Sequence, residues 1–186
     1  MKASKMAVST LSALALMMAA GTAMAEGVVT PIDVTGGTIH FNGVVTDGAC
    51  TVDQASSDQN VPLGSMQVKD VVKGQPGKSM PFSIVLQDCS IDTYTNASFS
   101  FNGQPDTKDP SALANNYGAG GAQGVGVQMK DMDGKVVTFG NAGAKMKLIK
   151  GTNVASFSAA LYGTDDATNV KSGYVTAMAT FNVHYE

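Results

Sequence analysis

The last fourteen residues constrain this chain most. Between Gly173 and Glu186, Val175, Ala177, Ala179, Phe181, Val183 and Tyr185 alternate with residues that include Thr176, Thr180, Asn182 and His184. A period of two puts every second side chain on one face, so this segment is expected to be a strand with one buried side. The sequence then ends, although an antiparallel sandwich would normally supply such a strand with a further partner. An edge left open in this way pairs with other chains unless it is covered or blunted.

A spare strand is available at the opposite end. In residues 26–37, together with Thr38, the side chains of Val28, Thr30, Ile32, Val34, Gly36 and Thr38 share one parity. Val29, Pro31, Asp33, Thr35 and Gly37 take the other. After Gly36 and Gly37 the phase changes, and Ile39 and Phe41 carry the apolar face in the opposite parity. A glycine pair is a flexible joint, and Pro31 suits an edge or added strand because it lacks an amide donor. Two readings stand side by side: a frayed terminal tail, or a segment that fills the open edge of another copy. In the second, Val28, Ile32 and Val34 would each contribute roughly 1.5–3 kcal/mol on burial.

Residues 1–25 read as a secretory signal peptide: Lys2 and Lys5, then a short apolar stretch, then Ala23-Met24-Ala25 before the cleavage point. Ser9, Thr10 and Ser12 interrupt the apolar stretch, so it is a poor membrane span, and no stable membrane insertion is expected. Cys50 and Cys89 are the only cysteines. An even pair in an exported chain points to a disulfide; a metal pair or redox motif is weaker, because the spacing is long and no nearby histidine adds ligands. Removing Lys2 and Lys5 with the leader leaves ten of the twelve basic residues against fifteen acidic ones, a net charge of −5. The sequence contains no arginine, and an acidic chain without guanidinium forks is a poor nucleic-acid binder.

Between the two ends, alternation recurs in short runs. These are Ile39, Phe41 and Val45; Met80 to Leu86; Ala97, Phe99 and Phe101; Val125, Val127 and Met129; Met146 to Ile149; and Ala155 to Leu161. Asp133-Gly134 is expected to turn the chain so that residues 135–139 return as a hairpin. Residues 104–116 and 118–124 read as loops, with a possible helical turn at residues 111–114, and residues 53–75 form a polar stretch. Several short strands with turn signals between them specify an all-β sandwich or barrel.

Catalytic chemistry finds no constellation. His40 and His184 lie far apart, each inside an expected strand, and neither sits in a Ser-His-Asp or HExxH context. Asp131 to Gly134 opens like a calcium loop, yet Ala142 stands where the twelfth-position glutamate belongs. Gln123 breaks the glycine-rich phosphate pattern at residues 118–124. Asn96-Ala97-Ser98 is a formal glycosylation sequon. No metal, cofactor or catalytic residue is assigned.

Several motifs together resemble the chaperone–usher pilins, in particular the major subunits of type 1 fimbriae. They are Gly37 to Gly43 leading to Gly48-Ala49-Cys50, then Leu86-Gln87-Asp88-Cys89, and Val125 to Met129. To these the ending adds a glycine fourteenth from the end, Gly173, and a penultimate tyrosine, Tyr185. The resemblance covers the whole mature sequence and implies an incomplete immunoglobulin-like β-sandwich that lacks its last strand. It implies a signal peptide at 1–25, a donor-strand extension at 26–37 and a pilin domain at 38–186.

In family terms Val28, Thr30, Ile32, Val34, Gly36 and Thr38 would be the donor strand, with Gly36 over a shallow part of the acceptor. Gly173, Val175, Ala177, Ala179, Phe181, Val183, Tyr185 and Glu186 would form the acceptor groove and chaperone recognition site. Cys50–Cys89 matches the family disulfide. The implied partners are a periplasmic pilus chaperone, an outer-membrane usher and neighbouring pilin subunits in a head-to-tail homopolymer. The implied destination is a surface fimbrium reached through the periplasm. Weighed against this are a minor adaptor or terminating subunit, a tip adhesin, and an exported enzyme on a complete sandwich.

Overall fold

A computed structural model of the chain describes residues 32–34, 36–41, 43, 45 and 48–186. By backbone contacts the chain divides into two units, Met1–Gly43 and Val44–Glu186. In the first, the described residues form no strand, and Ile32, Val34, Ile39 and Phe41 are exposed. The strand expected from Ile39, Phe41 and Val45 is therefore absent among the described residues. Alternation fixes which side chains share a face, but a ladder needs a partner backbone. The signal peptide, Val28 and Thr30 lie outside the described residues.

The second unit is all-β. Its strands are β1 (Thr51–Val52), β2 (Met80–Cys89), β3 (Asn96–Gly103), β4 (Val125–Lys130), β5 (Ala142–Lys147), β6 (Gly151–Gly163) and β7 (Ala179–Tyr185). One sheet has the order β1-β2-β6-β4 and the other β5-β3-β7. Every ladder is antiparallel. A four-residue helix, α1 (Gln54–Ser57), follows β1, with Asp53 capping it by accepting from the Ala55 amide at 3.1 Å.

The core lies between the sheets. Ile84 and Leu86 of β2, Ala97, Phe99 and Phe101 of β3, Val127 and Met129 of β4, and Ala155, Phe157 and Ala159 of β6 are buried there. Phe157 is the hub. Phe99 and Phe101 meet its ring edge-on at 5.3 and 5.0 Å, and Phe82 stacks on it at 5.5 Å; such geometries add to the area term.

Cys89 reaches this core through a break in phase. Ile84 and Leu86 point inward, so strict alternation would bury position 88. The β2–β6 register shifts between Leu86 and Cys89, and Asp88 takes φ 53°. A bulge of this kind inserts one residue and re-aims the next. It leaves Gln87 and Asp88 exposed and buries Cys89, which is disulfide-bonded to Cys50.

The turn after β4 forms as the sequence indicates. Asp131 Oδ1 accepts from the amides of Asp133 and Lys135 at 3.0 and 2.9 Å, and Gly134 adopts φ 76°. The returning arm is thin: a bridge between Lys130 and Val136 and the bond from Val137 N to Met129 O are its links to β4. Two other expectations need correction. Residues 111–114 form no helix; a turn closed by Ala112 N to Asp109 O leads into Leu113, which bridges Pro105 and Val127. The strand expected at 146–149 runs instead from Ala142 to Lys147, drawn there by pairing with β3.

Candidate functional site: an open groove along the last strand

The strand β7 pairs with β3 from Ala97↔Tyr185 to Gly103↔Ala179. Among the described residues nothing pairs with its other edge. The consequence is written in its burial. Ala179, Phe181, Val183 and Tyr185 point toward the core and pack on it, yet each stays half-buried, while Thr180, Asn182 and His184 face outward. The preceding Val175 and Ala177 keep the same parity and also pack half-buried on the core.

Along this edge runs a cleft of about 950 Å³. Phe82, Phe101, Val127 and Ala159 contribute to its floor, and Leu63 and Met66, from the irregular stretch after α1, line it as well. Thus the six apolar positions that the sequence places on one face do share one face, and from Val175 to Phe181 that face lines the groove, whereas Val183 and Tyr185 lie beyond its lining.

The wall of the groove has two parts. From 179 to 185 it is ladder, bonded to β3. From 171 to 178 it leaves β3 and bonds instead to the loop 115–123. Asn116 N donates to Thr176 O, Ala122 N to Tyr174 O, Tyr174 N to Gly120 O, and Gln123 and Lys171 exchange a reciprocal pair. Gly173 is the residue that permits this approach. A Cβ there would meet the Ala122 amide and lie 2.5 Å from Gly120 O and from Gly121 C. The glycine-rich run and Gly173 are therefore two halves of one contact. Their kinship is invisible in the sequence, where some fifty residues separate them.

One residue that sequence reasoning missed organises the same contact. The Asn115 side chain donates to Ala122 O at 2.9 Å and Tyr174 O at 2.8 Å. It accepts from Tyr117 N at 3.1 Å and Thr176 N at 2.9 Å. All four hydrogen-bonding positions of the amide are in use. Nothing in the local sequence of an asparagine in a polar loop marks it for that role.

At the other end, Tyr185 donates from its hydroxyl to Cys50 O at 3.3 Å, and burial pushes its phenol up. The backbone oxygen of Glu186 accepts from Thr95 and Asn96 amides at 3.1 and 2.9 Å. Lys145 Nζ holds the Glu186 carboxylate at 2.7 Å. His184 lies 2.7 Å from Ser100 Oγ on the outward face of β7, away from the groove, with no carboxylate bonded to the imidazole among the described residues. Asn96 of the sequon sits within β3. Among the described residues no group of three or more His, Cys, Asp or Glu side chains is placed to hold a metal, and no helix is long and apolar enough to cross a membrane.

Two antiparallel sheets with the inner face of the last strand uncovered define an incomplete immunoglobulin-like sandwich. Comparison with known proteins agrees. The model of the family described as fimbrial protein matches residues 39–186. The chain is 38% identical to the type-1 fimbrial protein A chain of Escherichia coli, each covered in full. It is 36% identical to the fimbrial subunit type 1 of Salmonella typhimurium, with 98% of each chain covered. Among solved structures, a subunit of a chaperone–usher pilus described for rod uncoiling superposes with a TM-score of 0.71 at 26% identity, covering 84% of this chain and 99% of that one. The P pilus rod subunit PapA shares the fold, with a TM-score of 0.65 at 24% identity over 75% of this chain and all of its own. The chain belongs to the fimbrial protein family, and it is a structural subunit of a chaperone–usher pilus.

Proposed function

We propose that this subunit polymerises head to tail by donor-strand exchange. Residues 26–37 with Thr38 are the donor. Val28, Thr30, Ile32, Val34, Gly36 and Thr38 face into the groove of another copy, whose wall carries Gly173, Val175, Ala177, Ala179, Phe181, Val183 and Tyr185. The observation that carries this reading is the half-burial of the β7 inner face beside an open cleft. Ile32 and Val34, exposed at 83% and 86%, supply apolar side chains in the right alternation. Such a contact joins unlike surfaces and does not close on itself, so it builds a filament. Strand addition of this kind is a known mode of recognition among pilins.

The same groove is too apolar to stay open in solution. A periplasmic chaperone fills it after the leader at 1–25 is removed, and an outer-membrane usher exchanges that strand for the next subunit's donor. The chaperone's basic groups meet the Glu186 end, where Lys145 pairs with the Glu186 side-chain carboxylate. Residues 38–186 serve as the pilin domain, and the product is a surface fimbrium without enzymatic activity of its own.

Deleting residues 26–34 tests the donor directly. The truncated chain should accept the donor of an intact copy yet fail to add to one, so that mixed expression gives capped, short fibres. Fibres of ordinary length from the truncated chain alone would overturn the reading.

A further inference from the structure

Three methionines, Met66, Met129 and Met178, line the groove, and their thioethers are placed differently. Met129 lies in the floor and is 5% exposed, whereas Met178 takes the outward parity of the wall and is 75% exposed. Met66 is half-buried. Its sulfur rests on the backbone of Gly77, 2.9 Å from where a Cβ at that residue would lie, so the glycine makes room for it. There it packs against the small cluster of Val71, Val125 and Val170, as does Val175 of the wall. A thioether suits such a seat because it is soft and carries no strong polar atom. A sulfoxide does not suit it. Its oxygen is a strong acceptor, and the Gly77 amide at the seat already donates to Leu161 O at 2.7 Å. An acceptor buried without a donor is costly, so an oxidised Met66 turns out toward water. Little resists that movement, since residues 58–66 make no backbone–backbone hydrogen bond among the described residues.

We infer that Met66 is a site of oxidative modification that decides whether the groove can take a strand, its co-reactant being a two-electron oxidant of the peroxide class. The inference rests on the donor-strand reading. No free thiol competes for the oxidant, because Cys50 and Cys89 are bonded to each other. A lone pair on the sulfur attacks one oxygen of hydrogen peroxide, and the S–O bond forms as the O–O bond breaks. The departing hydroxide takes the proton from the transferred oxygen and leaves as water. The thioether is oxidised by two electrons to the sulfoxide, and the peroxide is reduced by two. In an open subunit the oxidised side chain leaves its seat beside Val175, and the groove loses apolar lining where a strand must pack. In a filled groove the added strand covers Met66 and keeps the oxidant from its sulfur. The modification therefore acts on subunits before they join and spares those already joined.

Hydrogen peroxide applied to the full chain, with and without a saturating peptide of residues 26–38, tests the protection. Sulfoxide at each methionine is read by peptide mass spectrometry. Met66 should oxidise about tenfold more slowly with the peptide present, because susceptibility follows exposure. Met132 and Met146, which lie outside the groove lining, should react at one rate in both states. Equal rates at Met66 in the two states overturn the inference. After oxidation of the open chain the peptide should bind about tenfold more weakly, in keeping with a polar group forced into an apolar site. The substitution Met66→Leu keeps the volume without the sulfur, so that chain should retain its affinity through the same treatment. Unchanged affinity in the oxidised unaltered chain overturns the inference. An equal loss in the Met66→Leu chain also overturns it, because another methionine would then be responsible. The rate comparison uses the unaltered chain alone and stands whatever the substitution does to folding. A peptide that fails to bind the untreated chain overturns the donor-strand reading, and this inference with it.

Discussion

The strands β6 and β7 carry the same alternation and meet different fates. On β6, Ala155, Phe157 and Ala159 are buried because β2 and β4 flank the strand on both edges. On β7, Ala179, Phe181, Val183 and Tyr185 aim at the same core from a strand with one neighbour, and they stay half-buried. Period two reports which face points inward; the number of neighbouring strands decides how dry that face becomes. A fully alternating strand that remains half-wet is a strand awaiting a partner.

Truncating one phenylalanine on each strand should break or sharpen this contrast most. Phe157→Ala removes the hub of the aromatic cluster and should cost about 3–5 kcal/mol, the usual range for a buried aromatic. That cost should be the same with or without a peptide of residues 26–38. Phe181→Ala should cost on the order of 1–2 kcal/mol in the chain alone, in keeping with its partial burial. Its cost should rise toward that of Phe157 once the peptide is bound. Chemical denaturation in both states measures the four numbers. A Phe181 penalty that ignores the peptide would sink the idea that the open edge sets its burial.

The next effect lies where the groove wall leaves its ladder. Gly173→Ala forces a methyl group into the backbone of residues 120–122. Backbone cannot step aside as a flexible side chain can, so the segment 171–178 should lift from loop 115–123 at about 1–3 kcal/mol. Hydrogen exchange should then quicken at Ala122 and Tyr174 while the amides of β7 keep their protection. Faster exchange along all of β7 would mean that the two parts of the wall are one unit.

This division explains what was readable in the sequence. The strands β2, β3, β4 and β6 announce themselves because each aims alternate apolar side chains at the core, which is a local pattern; on β3 and β4 the small or polar residues between them, Ser98, Ser100, Gly126 and Gln128, are buried as well. The apolar side of residues 175–185 was readable for the same reason. The strand β5 was displaced because Ala142, Gly143 and Ala144 carry no alternating apolar signal; pairing with β3 makes them a strand. Asn115, the mutual fit of Gly173 with the glycine run, and the anchoring of loop 104–116 depend on partners about fifty to sixty residues away. No local pattern encodes a partner at that distance.

The smallest effect concerns the outer face of β6, which differs from that of β7 as much as the inner faces do. Thr180, Asn182 and His184 are exposed, whereas Tyr162 is buried beneath the turn that follows β3. There it donates from its hydroxyl to Asp109 Oδ2 at 2.9 Å. The Ser111 hydroxyl, donating at 2.7 Å, is the main force holding the Asp109 carboxyl below its usual range; burial opposes it, and the Ser111 amide and Tyr162 assist. Burial, and then the bond to Asp109, push the Tyr162 phenol up. An acid whose folded pKa is depressed contributes stability above its unfolded value and loses it as pH falls through the folded one. A phenol whose folded pKa is raised contributes below its unfolded value, about 10, and loses that contribution as pH rises through the folded one. Tyr162→Phe should therefore cost about 1 kcal/mol near neutral pH, one hydrogen bond with Ser111 still in place. Melting temperatures of the two proteins, followed across pH, should draw together at both extremes. Coincident curves throughout would show that Tyr162 acts by packing alone, and that β6 owes its covered outer face to shape and not to this bond.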